Sequence, residues 1–532
     1  LGDVYKRQKE NGYNVISWQQ VIDAENGKGT LPDNAVLLSF DDGYETMYNV
    51  VFPLLKAYNY PAVFAPVTGW LDTPTDQKIA YADKMLDRSV FATWSQVKEM
   101  EQSGLVEVAS HTHNLHNGIN ANPSGGQLPS VIAPEYKNGK YETEDAYKNR
   151  LKSDFTRSVQ TLVNHIGKKP RVMVWPYGQF NDVAVQLARQ SGMPHYFSLG
   201  EKIINKVGDK HIGRLLLNAE TDLNTVKNYL DGIDESKQIQ RVLHVDLDYV
   251  YDADKAQQAK NLDKLIDRIY RYGVTTVYLQ AFSDPDGDGV ADALYFPNKY
   301  LPVRDDIFGR IAWQLQTRAG VQVYAWMPVL AFDLRKGVKE AEYVIDSRTG
   351  KPSTKAYLRL SPYNKQNVEI IKSIYNDLSF YAKFNGILFH DDAFLTDFEG
   401  AEGDHAEGMV SPQAKQKTQD LIQLTHQLTD ALKPYFLRGS YSLKTARNLY
   451  ASVITNPNAE EWLAQNLKTL TDNYDTTAIM AMPYMENEQP ISQQEAYQWF
   501  ASLIENVKAQ APLDKVLFEF LSLIHISEPT RP

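Results

Sequence analysis

Residues 35–43 read A-V-L-L-S-F-D-D-G, an apolar run that ends in two aspartates and a glycine. A short apolar run followed by a turn is typical of a buried strand, and α/β proteins place functional side chains at the carboxyl ends of such strands. Comparable runs, each followed by a polar or Gly/Pro-rich turn, recur at residues 62–67, 106–110, 171–175 and 211–217. This rhythm predicts an α/β fold made of parallel strand–helix units.

A polar, turn-prone stretch at residues 231–240 (D-G-I-D-E-S-K-Q-I-Q) interrupts this rhythm and predicts a domain boundary. Beyond it, Leu262, Leu265, Ile266 and Ile269 have the spacing of one helix face. Further candidate strands lie at residues 242–247, 275–281, 321–327, 386–390, 435–441, 478–482 and 516–520. Seven strands over about 280 residues suit a (β/α)₈ barrel, so we predict a TIM-barrel-like second domain at residues 240–520.

Composition limits the classes of function. The chain has 532 residues, which is too long for one hydrophobic core, and a formal net charge of −11 without a Lys/Arg-rich block. This charge argues against nucleic acid as a partner. With no cysteine, disulfides, a Cys-ligated zinc site and a Cys nucleophile are excluded. Residues 1–8 and 521–532 carry no recognisable pattern, and we interpret them as non-native tails.

Two adjacent aspartates, Asp41 and Asp42, end the first apolar run. Neighbouring residues at a strand end project in different directions, so one carboxylate can bind a metal ion while the other faces a substrate. The same pair would also suit an acidic turn that caps a helix.

Three histidines, His111, His113 and His116, directly follow the run at 106–110. Imidazoles on one short loop can converge on a divalent ion, and an Asp completes a facial set that leaves positions open for water and substrate. A solvated loop is the alternative. A third segment, W-P-Y-G at residues 175–178, is a turn that can expose a backbone N–H, the donor that a tetrahedral oxyanion needs.

In this order the three segments resemble the polysaccharide deacetylases of carbohydrate esterase family 4, and more closely the periplasmic poly-β-1,6-N-acetylglucosamine N-deacetylases of biofilm export systems (PgaB-type). The resemblance covers roughly residues 9–520, including F-P-L-L-K-A and G-W-L-D-T-P. It implies a deacetylase domain at residues 9–235. It also implies that Asp41 is the general base, that Asp42, His111 and His116 are the metal ligands, and that the Tyr177 N–H belongs to the oxyanion hole.

The chain departs from this family pattern at two points. PgaB-type enzymes take their general acid from a His that precedes the Asp-Asp motif, and no His precedes His111 here. We therefore expect a distorted, N-terminally truncated deacetylase barrel with weak deacetylation. The Arg that usually lies beside the Pro-Tyr turn is also out of place, with Arg171 the nearest.

Carboxylates also follow the predicted strands of the second half, where a (β/α) barrel collects its functional side chains. They are Asp246, Asp248, Asp391, Asp392 and Glu486. Glycoside cleavage needs an acid and a second carboxylate, although the same groups could instead line a non-catalytic binding groove for sugar hydroxyls and glucosamine ammonium groups.

This half resembles glycoside hydrolase family 153, which cleaves partly deacetylated poly-glucosamine. The resemblance favours Asp391 and Asp392 as catalytic, without a choice between them. Trp326 and Tyr441, at two further strand ends, are candidates for stacking on sugar rings.

Residues 284–292 (D-P-D-G-D-G-V-A-D) match the start of a calcium-binding loop, with Asp284, Asp286 and Asp288 alternating before Gly289. Because Tyr295 takes the place of the Glu that such a loop needs, we favour a loop at the barrel mouth that touches the substrate.

The sequence thus predicts a metal-dependent N-deacetylase for poly-β-1,6-N-acetyl-D-glucosamine, whose second domain binds and cleaves the partly deacetylated polymer. The alternative is a polysaccharide-binding export factor without catalysis. The Asp-His-His set predicts one divalent ion, which can be zinc, iron, nickel or cobalt. The resemblance implies a periplasmic or outer-membrane-attached protein of a Gram-negative bacterium, with an outer-membrane export porin as a partner.

Overall fold

The computed structural model describes residues 12–521 except 201–202, 219, 231–239, 354–355, 401–409, 440–441 and 487–490. The chain divides into two compact units, one made of residues 1–239 with 437–442 and one made of residues 240–436 with 443–532. The predicted boundary at 231–240 lies outside the described residues except for Gln240, and the predicted tails do so except for Leu521.

The first unit carries the strands that end in the predicted deacetylase motifs. In chain order its strands are β1 (Asn14–Val15), β2 (Ala35–Val36), β3 (Ser39–Asp42), β4 (Ala62–Pro66), β5 (Lys78–Tyr81), β6 (Lys84–Asp87), β7 (Val106–Val108), β8 (Gly118–Asn120), β9 (Gln127–Pro129), β10 (Tyr136–Lys137), β11 (Lys140–Tyr141), β12 (Val172–Val174), β13 (His195–Leu199) and β14 (His211–Arg214). Its helices are Trp18–Glu25, Phe52–Tyr58, Thr68–Asp72, Trp94–Gln102, Glu144–Ile166, Asp182–Gln190 and Leu223–Leu230.

Two parallel sheets, β3-β4-β7 and β12-β13-β14, form the centre of this unit. A parallel bridge between Ser110 and Met173 joins them. The central strands β4 and β12 are buried on both faces, as parallel strands usually are, whereas β3 is only partly buried. In β4, Val63 and Ala65 share a core with residues of β12, β13 and β14, while Ala62 and Phe64 belong to a second core that includes residues of the helices.

The helices of the first unit begin where side chains can cap them. The side chains of Ser17 and Thr93 each accept a backbone N–H from the third residue of the helix that follows. That residue is a glutamine in both helices, and its side chain accepts the backbone N–H of the capping residue. Such capping boxes satisfy N–H groups that the helix itself leaves unpaired. The segment 437–442 also belongs to this unit, where Arg438 pairs with Phe180 in an antiparallel bridge.

The second unit is built on one large parallel sheet with helical connections. Its strands are β15 (Val242–Val245), β16 (Thr276–Gln280), β17 (Phe282–Ser283), β18 (Ala293–Leu294), β19 (Gln322–Met327), β20 (Ile345–Asp346), β21 (Lys351–Pro352), β22 (Gly386–Phe389), β23 (Lys444–Tyr450), β24 (Thr476–Met480) and β25 (Val516–Glu519). Its helices are Lys255–Arg271, Phe308–Gln314, Lys365–Tyr381, Pro412–Leu432, Ser452–Thr455, Glu460–Leu463, Leu467–Asn473, Pro483–Glu486 and Gln493–Gln510.

The seven strands of this sheet run in the order β15-β16-β19-β22-β23-β24-β25, and every neighbouring pair is parallel. One inner cluster, centred on Tyr278, Tyr324 and Leu388, includes Val242 of the first strand and Leu517 of the last. The sheet is therefore strongly curled, because its two outer strands contribute to the same interior.

The predicted α/β class is confirmed by these parallel sheets. Among the described residues no ladder closes either unit into a full ring, so the barrel form of each unit stays a prediction. The strand expected at 435–441 is wrong over its described residues 435–439, because Tyr435 and Phe436 pack against Phe380 and Phe384 instead, and the next strand begins at Lys444. Within the described part of the chain, no helix has the length and apolarity needed to cross a bilayer.

Candidate functional site

The carboxyl ends of β3, β7 and β12 bring the three predicted segments of the first unit together. Oδ1 of Asp42 lies 3.4 Å from Nε2 of His111 and 3.2 Å from Nε2 of His116. One ligand atom of each residue lies within 4.8 Å of those of the other two. The three residues that the family resemblance names as metal ligands therefore form one compact cluster.

The ring of His111 is held in one tautomer. Its Nδ1 lies 2.7 Å from the carbonyl oxygen of Val174, which can only accept, so Nδ1 carries the proton. This leaves Nε2 as the nitrogen directed at the cluster, where it can bind a metal ion once it carries no proton. The backbone of strand β12 thus orients a side chain that comes from the loop after β7.

His113 lies apart from this cluster and organises its loop. Its Nδ1 is 2.9 Å from the hydroxyl of Thr68. The N–H groups of His113 and Asn114 donate to the two oxygens of Asp154, at 2.8 and 2.7 Å. Asp154 thereby fixes the turn between His111 and His116.

Asp41, the predicted general base, is paired with an arginine that lies outside the three motif segments. The two terminal nitrogens of Arg214 donate to the two carboxylate oxygens of Asp41, both at 2.8 Å, and one of them also donates to Ser39. Burial opposes the charge on Asp41, but Arg214 outweighs it and holds the pKa of this carboxyl below its usual range. Asp41 is therefore kept ionised and oriented, as a proton acceptor must be.

The backbone is strained at each of the three segments. Asp42, Thr112 and Tyr177 have φ values of 72°, 71° and 58°, which non-glycine residues rarely adopt. Strained backbone of this kind concentrates at functional sites. Tyr177 is 41% exposed, and the centroid of its ring lies 4.5 Å from that of His116. At the next position a Cβ on Gly178 would come within 2.5 Å of Leu199, so the turn requires glycine there.

In the second unit, Asp391 is the centre of a buried hydrogen-bond cluster at the end of β22. The hydroxyl of Tyr357 donates to its carboxylate at 2.9 Å, that of Tyr450 donates at 3.0 Å, and Nδ1 of His390 forms an ion pair with it. Burial opposes the charge, but His390 outweighs it and lowers the pKa of Asp391. Burial raises the pKa of both tyrosine hydroxyls, which therefore stay protonated donors.

Asp392 occupies a different environment although it is the next residue. Its side chain has no exposed surface and accepts the N–H groups of Val329, Leu330 and Ala331, at 2.6 to 3.0 Å. Burial raises the pKa of this carboxyl. Asp392 therefore holds the backbone after β19, whereas Asp391 holds side chains that line the curled sheet.

Asp246 and Asp248 also have distinct environments. The carboxylate of Asp248 accepts from Ser283 and from the N–H of Asp284, both at 2.8 Å, and forms an ion pair with Arg304. Asp246 accepts the N–H of Asp248 at 2.7 Å, and burial raises the pKa of Asp246 to about 6. Asp248 thus has an organising role in the loops after β15 and β16.

The remaining predicted sugar contacts differ in how the structure places them. His390 lies flat on Trp326, with an interplanar angle of 4° and a centroid distance of 5.3 Å, so one face of the indole is already covered. The carboxylate of Glu486 accepts hydrogen bonds from the backbone N–H groups of Ala451 and Ser452, and burial raises the pKa of Glu486. Tyr441 lies outside the described residues.

The acidic loop at 284–289 folds around its first aspartate. Asp284 accepts the N–H groups of Gly287, Asp288 and Gly289 at 2.9 to 3.1 Å. A Cβ on Gly289 would lie 2.0 Å from the ring of Tyr357. The loop therefore packs against the tyrosine that donates to Asp391.

Comparison with known proteins gives a family model for each unit. Residues 28–196 match the model for polysaccharide deacetylases, and residues 244–524 match one described as hypothetical glycosyl hydrolase family 13. A poly-β-1,6-N-acetyl-D-glucosamine N-deacetylase of Escherichia coli K12 is 40% identical over 521 residues, which cover 94% of this chain and 76% of that protein. This chain belongs to the poly-β-1,6-N-acetyl-D-glucosamine N-deacetylase family.

Two solved structures are related to parts of this family member. A de-N-acetylase from Aggregatibacter actinomycetemcomitans is 67% identical, with 42% of this chain and 86% of that chain covered and a TM-score of 0.42. The PgaB (BpsB) glycoside hydrolase domain from Bordetella bronchiseptica is 40% identical, with 53% and 84% covered and a TM-score of 0.48. The chain is a polysaccharide deacetylase by its family model and its relatives.

The cluster of this deacetylase fits a divalent metal ion. Ligand atoms at 2.0–2.1 Å from one ion in tetrahedral geometry lie about 3.3 Å apart. The Asp42 oxygen is 3.4 and 3.2 Å from the two histidine nitrogens, and the tautomer of His111 is already the one that binds. Two imidazoles and one carboxylate are ligands that zinc, iron, nickel and cobalt all accept.

Sequence reasoning missed several residues of these sites. Arg214 and Glu519 end the strands β14 and β25, but the predicted strands 211–217 and 516–520 run past them, so the strand-end rule did not select them. Glu519 accepts from Asn448 at 2.7 Å and lies 2.8 Å from Nε2 of His244 inside the curled sheet. Tyr450 was missed because its strand was misplaced. Tyr357 lies in the connection between β21 and the helix Lys365–Tyr381, and no sequence signal identifies it.

Proposed function

We propose that this chain removes N-acetyl groups from poly-β-1,6-N-acetyl-D-glucosamine at a divalent-metal site made of Asp42, His111 and His116. The observation that carries the proposal is the convergence of these three residues directly beside an ionised Asp41. The substrate is the one named for the relatives in this family.

Asp41 is the general base in this proposal. It accepts a proton from the water that attacks the amide carbonyl, and Arg214 keeps it charged and fixes its orientation. When the C–N bond of the resulting intermediate breaks, the departing amine takes up a proton from water. Arg214 donates through two parallel N–H groups, which restrict the carboxylate more than one bond would. The lone pair that takes the proton therefore keeps a constant direction.

The metal ion, when bound, polarises the amide carbonyl and lowers the pKa of the water. The backbone N–H of Tyr177 is proposed to donate to the oxyanion that forms when the water adds. The left-handed backbone of Tyr177 and the glycine that follows it set the direction of this N–H. The exposed ring of Tyr177, next to His116, offers a surface on which a sugar can stack.

The proposal is tested by following amine release from β-1,6-linked N-acetylglucosamine oligomers. Protein stripped of metal by a chelator should be inactive, and one equivalent of zinc, iron, nickel or cobalt should restore its activity. Asp42→Ala should abolish both metal binding and restoration. Asp72→Ala, a carboxylate outside the cluster, serves as the control and should behave as the parent. Activity that persists in fully stripped protein would contradict the metal dependence.

For the second unit we propose binding and cleavage of polymer that already carries free amines, with Asp391 as the ionised member of the two carboxyl groups that glycoside cleavage needs. Asp391 is kept charged by His390 and two tyrosine hydroxyls, which suits a group that stabilises a developing sugar cation. Asp392 is proposed to have a structural role, because three backbone N–H groups donate to its carboxylate.

Chain shortening of partly deacetylated polymer tests this second activity. Asp391→Asn should abolish shortening, while Asp346→Asn, an aspartate paired with Arg348 elsewhere in the unit, should retain it. If the parent binds the polymer and never shortens it, the unit is a binding groove and the cleavage proposal is wrong.

The cellular setting is proposed from the same family. We propose that the chain acts in the periplasm or attached to the outer membrane during export of biofilm polysaccharide, with an outer-membrane porin as its partner. Fractionation of cells that express the natural gene, followed by cross-linking, tests both statements.

A further inference from the structure

A side chain from the β5–β6 hairpin contacts the candidate metal cluster. The hydroxyl of Tyr81, at the end of β5, donates to Oδ2 of Asp42 at 3.0 Å. The other oxygen, Oδ1, is the one that lies 3.4 and 3.2 Å from the two histidine nitrogens. The two oxygens of Asp42 are therefore engaged differently, one by the histidines and one by the hairpin.

The ring of Tyr81 also touches a second member of the cluster. Its centroid lies 5.9 Å from that of His116, with an interplanar angle of 20°, and 5.4 Å from Trp70. The ring of Trp70 also contacts His116, with a centroid distance of 5.1 Å. Tyr81 thus contacts two of the three proposed ligands: its hydroxyl donates to Asp42, and its ring packs on His116.

This arrangement restricts how Asp42 can bind a metal. A carboxylate can ligate through one oxygen or through both, and both would fill a position that catalysis needs for water or for the substrate carbonyl. A hydroxyl that donates to Oδ2 uses the lone pair facing it and holds that oxygen away from the histidine nitrogens. Neighbours that hydrogen bond to metal ligands typically change affinity or activity about 10–100-fold when removed.

We propose that Tyr81 is a positioning residue that makes Asp42 a one-oxygen metal ligand and so keeps coordination positions open for the reaction. This inference rests on the proposed metal-dependent deacetylation and adds to it a residue outside the Asp-Asp, His and Pro-Tyr-Gly segments. Tyr81 does not itself touch the reacting atoms in this proposal.

The test is the Tyr81→Phe variant of the full chain, which keeps the ring and its packing and removes only the hydroxyl. Cobalt(II) is the probe, because its visible absorption changes in energy and intensity with coordination number. We expect Tyr81→Phe to change the cobalt spectrum, to shift cobalt affinity in chelator competition by about 10–100-fold, and to lower kcat for deacetylation.

The matched control is Tyr48→Phe. Tyr48 lies in the same unit, and its hydroxyl donates to the carboxylate of Glu99 at 2.7 Å, outside the cluster. This variant should keep the parental spectrum, affinity and kcat. A second variant, Tyr81→Leu, removes the ring as well, and a cobalt spectrum like that of Tyr81→Phe would assign the effect to the hydroxyl.

The outcomes separate this inference from the proposal beneath it. If the parent binds cobalt and both Tyr81 variants bind it with the parental spectrum and affinity, Tyr81 has no positioning role. If the parent binds no divalent ion, the proposed metal site itself is wrong. Thermal unfolding of each variant identifies any loss of fold, and a Tyr81→Phe protein with the parental melting temperature and a changed spectrum supports the inference.

Discussion

Asp41 and Arg214 act as one unit in the proposed deacetylation, although they are far apart in sequence. Arg214 donates to both oxygens of Asp41 and offsets the effect of burial, which by itself raises the pKa of this carboxyl. Removing a general base typically costs about 10²–10⁴-fold in rate. We expect Asp41→Asn to lose activity on that scale and Arg214→Met to lose a large part of it.

The double variant gives the sharper measurement. Residues that act as a unit are not additive, so kcat of Asp41→Asn with Arg214→Met should be no lower than that of Asp41→Asn alone. Arg171→Met is the control, because Arg171 forms an equivalent pair with Glu107 in the same unit. Independent, multiplying losses in the double variant would contradict a shared role.

Asp246 leads to a prediction about pH and stability. Its folded-state pKa is raised by burial to about 6, whereas an unfolded Asp titrates near about 3.9. The folded state binds the proton more tightly, so this carboxyl contributes stability that is present below about pH 4 and is lost as pH rises through about 6. Asp246→Asn removes the titration and keeps an oxygen that can accept the N–H of Asp248.

We therefore expect the difference in melting temperature, Asp246→Asn minus parent, to increase as the pH is raised from about 4 to about 6.5. Asp263→Asn is the control, since Asp263 lies on the exposed face of the helix Lys255–Arg271. A difference in melting temperature that stays constant with pH would show that Asp246 does not titrate in this range.

At the scale of elements, strand ends were the part of the molecule that the sequence could predict. The Asp-Asp pair ends strand β3 and the His segment follows strand β7, as predicted, because an apolar run followed by a turn is a local signal. Strand β23 (K-T-A-R-N-L-Y) was missed because it buries polar side chains. Arg447 within it donates to the carbonyl of Ala393 and to the hydroxyl of Tyr474, so its burial depends on partners distant in the sequence.

The loop at 284–289 gives a prediction about the Asp391 cluster. Gly289 makes room for Tyr357, and a Cβ there would overlap the ring. We expect Gly289→Ala to displace Tyr357 from Asp391 and to lower cleavage or binding of partly deacetylated polymer as much as Tyr357→Phe does.

Gly320→Ala is the control that distinguishes the loss of the Tyr357 contact from the cost of backbone strain. Gly320 has φ of +67° and Gly289 has φ of +79°, but a Cβ on Gly320 would meet nothing within 4 Å. Both variants carry the cost of a left-handed alanine, and only Gly289→Ala should affect the polymer. Equal effects of the two variants on polymer cleavage would mean that the contact with Tyr357 is unimportant.

At the scale of the whole molecule, the two proposed chemistries lie on two different compact units. We expect Asp41→Asn to lower acetate release by about 10²–10⁴-fold and to retain shortening of polymer that was deacetylated beforehand. Asp391→Asn should show the reverse. Both products are measured on the same substrate batch, and a loss of both activities in either single variant would contradict two independent sites.

The three left-handed residues at the deacetylase site, Asp42, Thr112 and Tyr177, have a consequence for thermal adaptation. Each such residue costs about 1–3 kcal/mol, which the rest of the first unit must offset. Strained active sites of this kind set stability against activity. A laboratory selection for heat tolerance alone, applied without selection for deacetylation, should therefore collect substitutions in these three loops, and the most heat-tolerant descendants should be the poorest deacetylases.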